Sequence, residues 1–268
     1  MTVTTVTTVT TATRTTGTRC FPGGDDGPPA LVVVAHGSRD PRALRTVRAL
    51  LDRVRARRPG LPVHLGHIEL NAPLLSDTLA ALGDRRAVLV PLLLSRGYHV
   101  KRDIPETAAA FPVRARVARP LGPHPLLVDA LHGRLAEAGW DRRPGDAVVL
   151  AAAGSRDPDS ATDTGRTARL LAARLGVPVV PAYATTAAPT VPAALAALGS
   201  AGHRRIAVAS CFTAPGRFAT ECAAAAPWTT SAPLGTHPAM AELLLRRYEE
   251  ALSDTPTPLR TRARLQPA

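Results

Sequence analysis

The sequence is poor in cysteine, aromatic residues and long apolar runs, and each shortage excludes a class of protein. Its three cysteines (Cys20, Cys211 and Cys222) have no Cys-x-x-Cys spacing. An odd number without that spacing argues against a disulfide framework or a thiolate zinc site, and is compatible with a reducing cytoplasm. No apolar run approaches the ~20 residues that span a bilayer, so we expect no membrane segment. Aromatic residues make up only 3% of the chain, which leaves leucine, valine and alanine to fill the core.

Lysine is also scarce, because Lys101 is the only one and arginine supplies nearly all of the positive charge. The formal net charge of +12 would suit a nucleic-acid-binding protein. The arginines, however, are scattered over helical segments, and no recognition motif accompanies them. We therefore expect no nucleic-acid partner, although a positive surface would still attract an anionic small molecule.

Both ends of the chain differ in composition from the rest. Residues 1–30 are rich in threonine and end in a stretch of proline, glycine and aspartate. This segment lacks the apolar core of a secretory signal, and its lack of acidic residues before Asp25 resembles an organellar transit peptide. A disordered tail fits its composition better, and residues 253–268 are predicted to be disordered too. The folded region would then run from 31 to 252, long enough for two modest domains.

An internal repeat is the most informative feature that the sequence does contain. The segment LVVVAHGSRDP at 31–41 returns as VVLAAAGSRDP at 148–158. Three polar residues of the first copy are replaced in the second: His36 by Ala153, Glu69 by Thr185 and His99 by Phe218. This pattern favours a working N-terminal domain (31–140) and a degenerate repeat (146–252) that supports it.

Each copy alternates short apolar runs with helical patterns, which predicts an α/β fold. Leu31–Ala35 is a continuous Val-rich run typical of a parallel strand buried on both faces. Asp40 and Pro41 suit the N-cap and first position of the helix that follows. We therefore expect two similar domains, each a small parallel sheet flanked by helices. The predicted strands are 31–35, 63–70, 87–94, 113–118, 147–152, 177–183 and 205–211, and the predicted helices are 41–54, 73–82, 124–138, 158–174, 189–198 and 237–252.

Three candidate metal-binding residues lie at the ends of the first three predicted strands. His36 follows the first strand, Glu69 ends the second and His99 comes just after the third. Ligands of parallel α/β sheets bind outside the carboxyl ends of the strands, so these side chains should meet. Imidazole and carboxylate are usual ligands of divalent iron, cobalt, nickel or zinc, and two histidines and one glutamate would leave coordination positions open.

The sequence here resembles the sirohydrochlorin chelatases of the CbiX and SirB type over about residues 30–250. The motifs that carry the resemblance are AHGSRDPRA (35–43), HIELNAP (67–73) and PLLLSRGYHVKRDIP (91–105). The resemblance implies a class II chelatase, which is a lyase that inserts a metal ion into sirohydrochlorin without ATP. The metal would be Fe²⁺ on the route to sirohaem or Co²⁺ on the route to cobalamin. The metal is then a substrate, and no permanently bound cofactor is expected. The family also contains fused duplicates of a short unit, which implies a monomer with two pseudo-symmetric halves.

The same resemblance implies roles for individual residues. His36 and His99 would bind the incoming metal and act as bases, with Glu69 assisting. Histidine has an unperturbed pKa near 6.5, so activity should fall below roughly pH 6. Sirohydrochlorin carries several carboxylates, which arginine forks suit. The residues expected to bind it are Ser38, Arg39, Arg96, Tyr98, Lys101 and Arg102.

One departure from the family pattern affects that set, because Ser95–Arg96 stand where the family commonly has a small or apolar residue followed by a small one. We expect this difference to alter only how the substrate is held, because the Gly97–Tyr98–His99 turn itself is kept.

Several alternatives remain open at this point. His36 could be structural, Glu69 could cap the helix that begins near residue 73, and His67 could either join the site or pack in the core. His64 points to the opposite strand face, and the histidines of the LGxHP turns, His124 and His237, are expected to maintain the fold. A metal or tetrapyrrole carrier would show the same motifs. A phosphotransfer enzyme with a histidine nucleophile normally has arginine before the His-Gly pair, where this chain has Ala35, and a Ser38 hydrolase would lack the GxSxG elbow.

Overall fold

The computed structural model of the protein describes residues 27–254. Most of the Thr-rich N-terminal segment and residues 255–268, for which we predict disorder, lie outside the described residues. The first strand begins at Ala30 and the last helix ends at Ser253, each within one residue of the predicted limit of a tail. The hydroxyl of Tyr248 on that helix donates to the carbonyl of Pro29 at 2.7 Å, which fixes the start of the described chain.

The strands form two parallel sheets, as the repeat predicts, and each sheet has four strands. The first has the order β2-β1-β3-β4 and the second the order β6-β5-β7-β8. The strands are β1 (Ala30–Ala35), β2 (Val63–His67), β3 (Arg86–Pro91), β4 (Arg114–Val117), β5 (Asp146–Ala152), β6 (Val179–Tyr183), β7 (Arg205–Ser210) and β8 (Thr229–Thr230).

Helices connect the strands in each half. They are α1 (Pro41–Arg57), α2 (Leu75–Leu82), α3 (Ile104–Ala109), α4 (Pro125–Glu137), α5 (Pro158–Leu175), α6 (Val191–Ser200), α7 (Arg217–Ala224) and α8 (Pro238–Ser253). One turn of π-helix, His99–Asp103, runs directly into α3. Among residues 27–254, no helix combines the length and the apolar character needed to cross a membrane.

Some element boundaries differ from the prediction. Strand β2 ends at His67 and not at Leu70, because the chain turns there and Leu70 adopts a left-handed φ of 67°. Helix α2 begins at Leu75, two residues later than predicted. The sequence pattern also misses α3, α7 and β8, which are too short to show a clear periodicity.

The two halves share one hydrophobic layer. Alternate residues of β1 face opposite sides of the first sheet, so that Leu31 and Val33 join a core cluster that also contains Val148 and Leu150 of β5. Helices α1, α4, α5 and α8 lie in this shared layer, whereas α2 with α3 and α6 with α7 cover the outer faces. The last helix of each half crosses over: α8 packs against β3 and β4, and α4 packs against β7.

Candidate active site

His36 and His99 lie side by side at the carboxyl edge of the first sheet. Their ring centroids are 4.8 Å apart and the rings are nearly perpendicular. His36 directly follows β1, and His99 opens the π-helical turn after β3. Two imidazoles from separate segments therefore face the same space.

The turn after β1 holds His36 against the end of β2. Gly37 has a left-handed φ of 107°, and a Cβ at this position would collide with the carbonyl oxygen of Glu69. The backbone N–H of Glu69 also donates to the carbonyl of His36 at 3.0 Å. Gly154 repeats the conformation in the second half with a φ of 90°. At both positions a positive φ and a close approach to a neighbouring carbonyl favour glycine.

Glu69 places its carboxylate beside His36. Its Oε1 atom lies 3.5 Å from Nδ1 of His36, and both side chains are about half exposed, at 53% and 45%. The residue after it, Leu70, is a non-glycine residue in the left-handed region and 52% exposed. Such backbone strain is held only where the surrounding structure fixes it, and here it turns the chain so that Glu69 faces the histidine. Glu69 does not cap α2.

His99 has a carboxylate of its own, which sequence reasoning missed. Nδ1 of His99 lies 2.5 Å from Oδ2 of Asp103, four residues further along the chain. The π-helical turn, closed by the N–H of Ile104 on the carbonyl of His99, brings the two side chains together. A signal was present in the repeat, because the segment that aligns His99 with Phe218 also aligns Asp103 with Cys222.

The two histidines thus present the same arrangement, with Nδ1 directed at a carboxylate and Nε2 left for a ligand. A carboxylate on the second ring nitrogen fixes the tautomer and the ring orientation of a metal-binding histidine. Among residues 27–254, no three histidine, cysteine or acidic side chains are placed to hold one metal ion together. The three-ligand set suggested by the strand ends is therefore not formed, since Glu69 supports His36 from behind.

The basic residues around His99 divide into two groups. Arg96 and Lys101 make ion pairs with acidic residues of the other half: Arg96 lies 2.7 Å from Asp163 on α5, and Lys101 lies 2.7 Å from Asp157, the N-cap of α5. Arg102 keeps 68% of its side chain exposed and lies 3.9 Å from Glu106. The structure thus engages two of the residues expected to hold the substrate in contacts within the protein.

The remaining residues expected to bind substrate lie around the histidine pair. Arg39 is exposed on the turn after β1. Tyr98 is 64% exposed and makes an edge contact with the His99 ring at 6.3 Å. Ser38 serves its own turn: its hydroxyl accepts from the N–H of Asp40, and its backbone N–H donates to the side chain of Asn71 at 2.7 Å. Asn71 is a second residue that sequence reasoning did not assign.

The corresponding place in the second half has different chemistry. The Thr185 hydroxyl donates to the carbonyl of Ala153 at 2.8 Å, where the first half has Glu69 and His36. Cys222, opposite Asp103, is buried, and this burial raises the pKa of its thiol. A neutral buried thiol neither holds a metal nor orients an imidazole.

The other histidines lie apart from the pair. His67 is buried, and its Nδ1 atom contacts the carbonyl of Pro73 at 3.1 Å. Its side chain therefore packs against the loop between β2 and α2. His64 is half-buried on β2. The fold role of the LGxHP histidines is confirmed, because Nδ1 of His124 accepts from Leu126 N–H and Nδ1 of His237 accepts from Ala239 N–H.

Comparison with known proteins returns one family for both halves. The CbiX family model matches residues 30–138 and again 147–251. A sirohydrochlorin ferrochelatase of Bacillus subtilis is 32% identical over 170 residues, which cover 60% of this chain and 64% of the relative. A sirohydrochlorin cobaltochelatase of Methanococcus maripaludis is 34% identical over 85 residues, which cover 31% of this chain and 59% of the relative. The chain thus spans about three fifths of the length of these curated relatives.

Solved structures show the same architecture. SirB from Bacillus subtilis with Fe³⁺ superposes with a TM-score of 0.70 at 25% identity, over 84% of this chain and 96% of that one. CbiX, described as the terminal enzyme of sirohaem biosynthesis in denitrifying bacteria, gives a TM-score of 0.62 at 20% identity, over 84% of this chain and 100% of that one. The duplicated α/β fold is therefore that of these chelatases.

Proposed function

The chain belongs to the CbiX family, and on that basis we propose that it inserts a divalent metal ion, Fe²⁺ or Co²⁺, into sirohydrochlorin without ATP. The observation that carries the proposal is the histidine pair, in which His36 and His99 lie 4.8 Å apart between ring centroids with a carboxylate on each Nδ1. Two neutral imidazoles bind a divalent ion while leaving coordination positions open for the incoming ring nitrogens. The metal is a substrate that the site must release.

The proton balance of the reaction suits the same two residues. When a divalent ion enters a free-base tetrapyrrole, two pyrrole N–H bonds break and two protons leave. As the metal passes from the imidazoles to the ring nitrogens, the freed imidazole nitrogens accept these protons. Glu69 and Asp103 stand behind His36 and His99, where a carboxylate stabilises the imidazolium that forms.

The carboxylates of the tetrapyrrole would be held by the exposed residues near the pair. We assign this task to Arg39 and Arg102, with Tyr98 offering an aromatic face beside His99. Arg96 and Lys101, which are paired with α5, are left out of the set. The relatives include both a ferrochelatase and a cobaltochelatase, so the proposal covers both metals and the assay must decide between them.

The test is an anaerobic assay of metal insertion followed by the visible spectrum. Purified protein is mixed with sirohydrochlorin and Fe²⁺ or Co²⁺, beside a reaction without protein. We expect catalysed insertion by the wild type and a loss of about 100-fold or more in His36→Ala and in His99→Ala, the range for removing a general base. His203→Ala is the matched control: it removes a partly exposed histidine before β7, at the opposite edge of the sheet, whose Nδ1 contacts the carbonyl of Gly145, and it should keep the wild-type rate.

Each of the other outcomes has a definite meaning. A tetrapyrrole or metal spectrum without turnover would make the protein a carrier. No spectral response would reject the chelatase and return attention to phosphotransfer at His36. The ratio of the two insertion rates would assign the metal and with it the sirohaem or the cobalamin branch.

A further inference from the structure

Residues 95–103 of the first half, the segment that contains His99, bind helix α5 of the second half through residues that lie close to His99 in the sequence. The guanidinium of Arg96 donates from Nη2 to Oδ1 of Asp163 at 2.7 Å and from Nε to Oδ2 at 2.9 Å. The backbone N–H of Arg96 donates to the same Oδ2 atom, also at 2.9 Å. Asp163 therefore binds both the side chain and the main chain of the segment, three residues before His99.

Two further contacts extend this attachment along α5. The amine of Lys101 lies 2.7 Å from Oδ2 of Asp157 and 2.9 Å from Oδ2 of Asp159. The hydroxyl of Ser95 lies 2.9 Å from that of Ser160. We call this set of contacts between residues 95–101 and 157–163 the α5 clamp.

The centre of the α5 clamp is buried and charged. The Asp163 side chain is 2% exposed, so its charge has little contact with water. Burial by itself would raise the pKa of this carboxyl, but the hydrogen bonds from the side chain and backbone of Arg96 reverse that effect and lower it. A buried carboxylate with a two-pronged arginine partner has one favourable geometry, so the pair fixes position more than a surface ion pair does.

The α5 clamp has no equivalent on the pseudo-symmetric side. By the alignment of the repeats, Asp159 and Asp163 of α5 correspond to Arg42 and Thr46 of α1. The basic residues of the segment correspond to Pro215 and Thr220 in the second half. Neither ion pair can therefore form where the second half's turn meets α1. Within the described residues, these complementary charges therefore lie only on the side that carries His99.

We propose that Asp163, assisted by Asp157 and Asp159, is a positioning residue of the chelatase: through Arg96 and Lys101, the degenerate half sets the place of His99 opposite His36. The proposal rests on the function proposed above, and it gives the half that lacks the histidine pair a task in the reaction. Asp163 acts through His99 and does not touch substrate.

The first experiment compares Asp163→Asn with the wild type in the full-length protein. The amide keeps the size of the side chain but loses its charge. We expect kcat to fall about tenfold or more, because small displacements of a reacting group cost one to two orders of magnitude in rate. KM for sirohydrochlorin should stay within about twofold of the wild-type value, because the substitution does not alter Arg39 and Arg102, which are proposed to bind the carboxylates of the tetrapyrrole. The dissociation constant of Co²⁺, titrated without tetrapyrrole, should rise, because two imidazoles must be in register to share one ion.

The matched control is Glu249→Gln. It removes another ion pair between the halves, Arg58 to Glu249 at 2.8 Å, near the C-terminal end of α1 and so at the opposite edge of the sheets. We expect this variant to keep kcat, KM and Co²⁺ affinity. A loss in the control equal to that of Asp163→Asn would mean that any loosened interface slows the enzyme, and it would overturn the proposal.

A second variant and a second readout cover the case in which Asp163→Asn does not fold. Lys101→Ala removes a partly exposed side chain of the α5 clamp and leaves the core intact. Hydrogen exchange of the amides of residues 95–109 should quicken in either variant, together with the losses of kcat and Co²⁺ affinity. Faster exchange with wild-type kcat and Co²⁺ affinity would make the clamp purely structural and reject the proposal, as would unchanged exchange.

Failure of the function and failure of the α5 clamp give different results. Co²⁺ titration and hydrogen exchange need no tetrapyrrole. A wild type that binds Co²⁺ without inserting it would reject the chelatase, while the comparison of variants would still test the clamp. A wild type that binds no Co²⁺ would overturn both.

Discussion

The side chains behind the two imidazoles decide how the histidine pair can work. Glu69 approaches Nδ1 of His36 from the end of β2, and Asp103 approaches Nδ1 of His99 from the same π-helical turn. The two carboxylates come from unrelated local structures and yet occupy the same position on the ring. Both leave Nε2 as the proposed metal-binding atom, and both can stabilise a positive charge on the imidazole.

Removing either carboxylate should therefore slow metal insertion without unfolding the protein. We expect Glu69→Gln and Asp103→Asn each to lower kcat by about 10- to 100-fold, the effect typical of partners that orient a metal-binding histidine. Circular dichroism should be unchanged, since both side chains are partly exposed. Steady-state insertion kinetics provide the measurement. Glu106→Gln, an exposed acid one turn beyond the site, is the control, and wild-type kcat in the two site variants would refute this reading of the geometry.

The sequence could identify His36, Glu69 and His99 because the second copy supplies a comparison inside the same chain. Asp103 was missed although the same alignment sets it against Cys222. The pairing of Asp103 with His99 depends on a π-helical turn, and no pattern of residues in the sequence predicts such a turn. Arg96 and Lys101 were expected to face substrate, and only the tertiary structure could reveal their acidic partners on α5, more than fifty residues away.

At the scale of elements, the conserved turns of the two halves start α4 and α8 with a histidine cap. In both helices Nδ1 accepts a backbone N–H, which requires that nitrogen to be unprotonated. Burial is the main cause that lowers the pKa of His124 below its ordinary value of 6.5, and the charge of Arg247 adds to it. The same main cause lowers the pKa of His237.

Loss of this cap should be measurable as a pH-dependent loss of stability. We expect His124→Ala to lower the free energy of unfolding by about 1 kcal/mol at pH 8, and His124→Asn to recover most of it. Because the pKa is lower in the folded state, the unfolded chain binds the proton first. The stabilisation is therefore complete above pH 6.5 and declines as the pH falls below it towards the folded pKa. Denaturant unfolding at pH 8 and pH 5 tests this, and a constant difference between wild type and His124→Ala would contradict it.

The strands and long helices were predictable from their apolar residues. The strands show continuous apolar runs, as in the valines of β1, and the long helices show apolar residues at helical spacing. The shorter elements were not. Strand β8 is two threonines that pair with β7, and its existence depends on the neighbouring strand more than on its own residues. Helix α3 follows the π-helical turn, and only Ile104 and Ala108 mark its buried face.

At the scale of the whole molecule, the halves interlock more than a tandem repeat requires. Leu31, Val148 and Leu244 belong to one core cluster, and α8 of the second half covers β3 and β4 of the first. The repeat predicted two similar sheets. It could not predict that the last helices cross over, because each helix pattern would be equally satisfied against its own sheet.

A chain cut between the halves should therefore not behave as two independent domains. We expect residues 27–144 alone to dimerise or aggregate, because the face of the first sheet that α8 covers would be exposed. Co-expression with residues 145–254 should restore a soluble one-to-one complex. Size-exclusion chromatography with light scattering distinguishes these states. A monomeric fragment that unfolds cooperatively would show that the shared layer is not essential.

The α5 clamp also gives the molecule a dependence on acid. The pKa of Asp163 lies below the ordinary value of 3.8 in the folded protein, because the hydrogen bonds from Arg96 outweigh the effect of burial. Its stabilisation is thus fully present above pH 3.8 and disappears as the pH falls through the lower folded pKa. We expect the stability difference between wild type and Asp163→Asn to be constant from pH 7 to 5 and to shrink towards pH 2, as measured by thermal unfolding. An equal difference at all these pH values would contradict the assignment.

Lys101, the single lysine of the chain, lies in the α5 clamp. It can therefore serve as a chemically unique probe of that contact. A lysine-specific protease has one bond to cut in the whole sequence, the one after Lys101. In the structure that side chain is held by ion pairs with Asp157 and Asp159. The rate at which such a protease nicks the native protein therefore reports how often the two halves release the segment that carries His99.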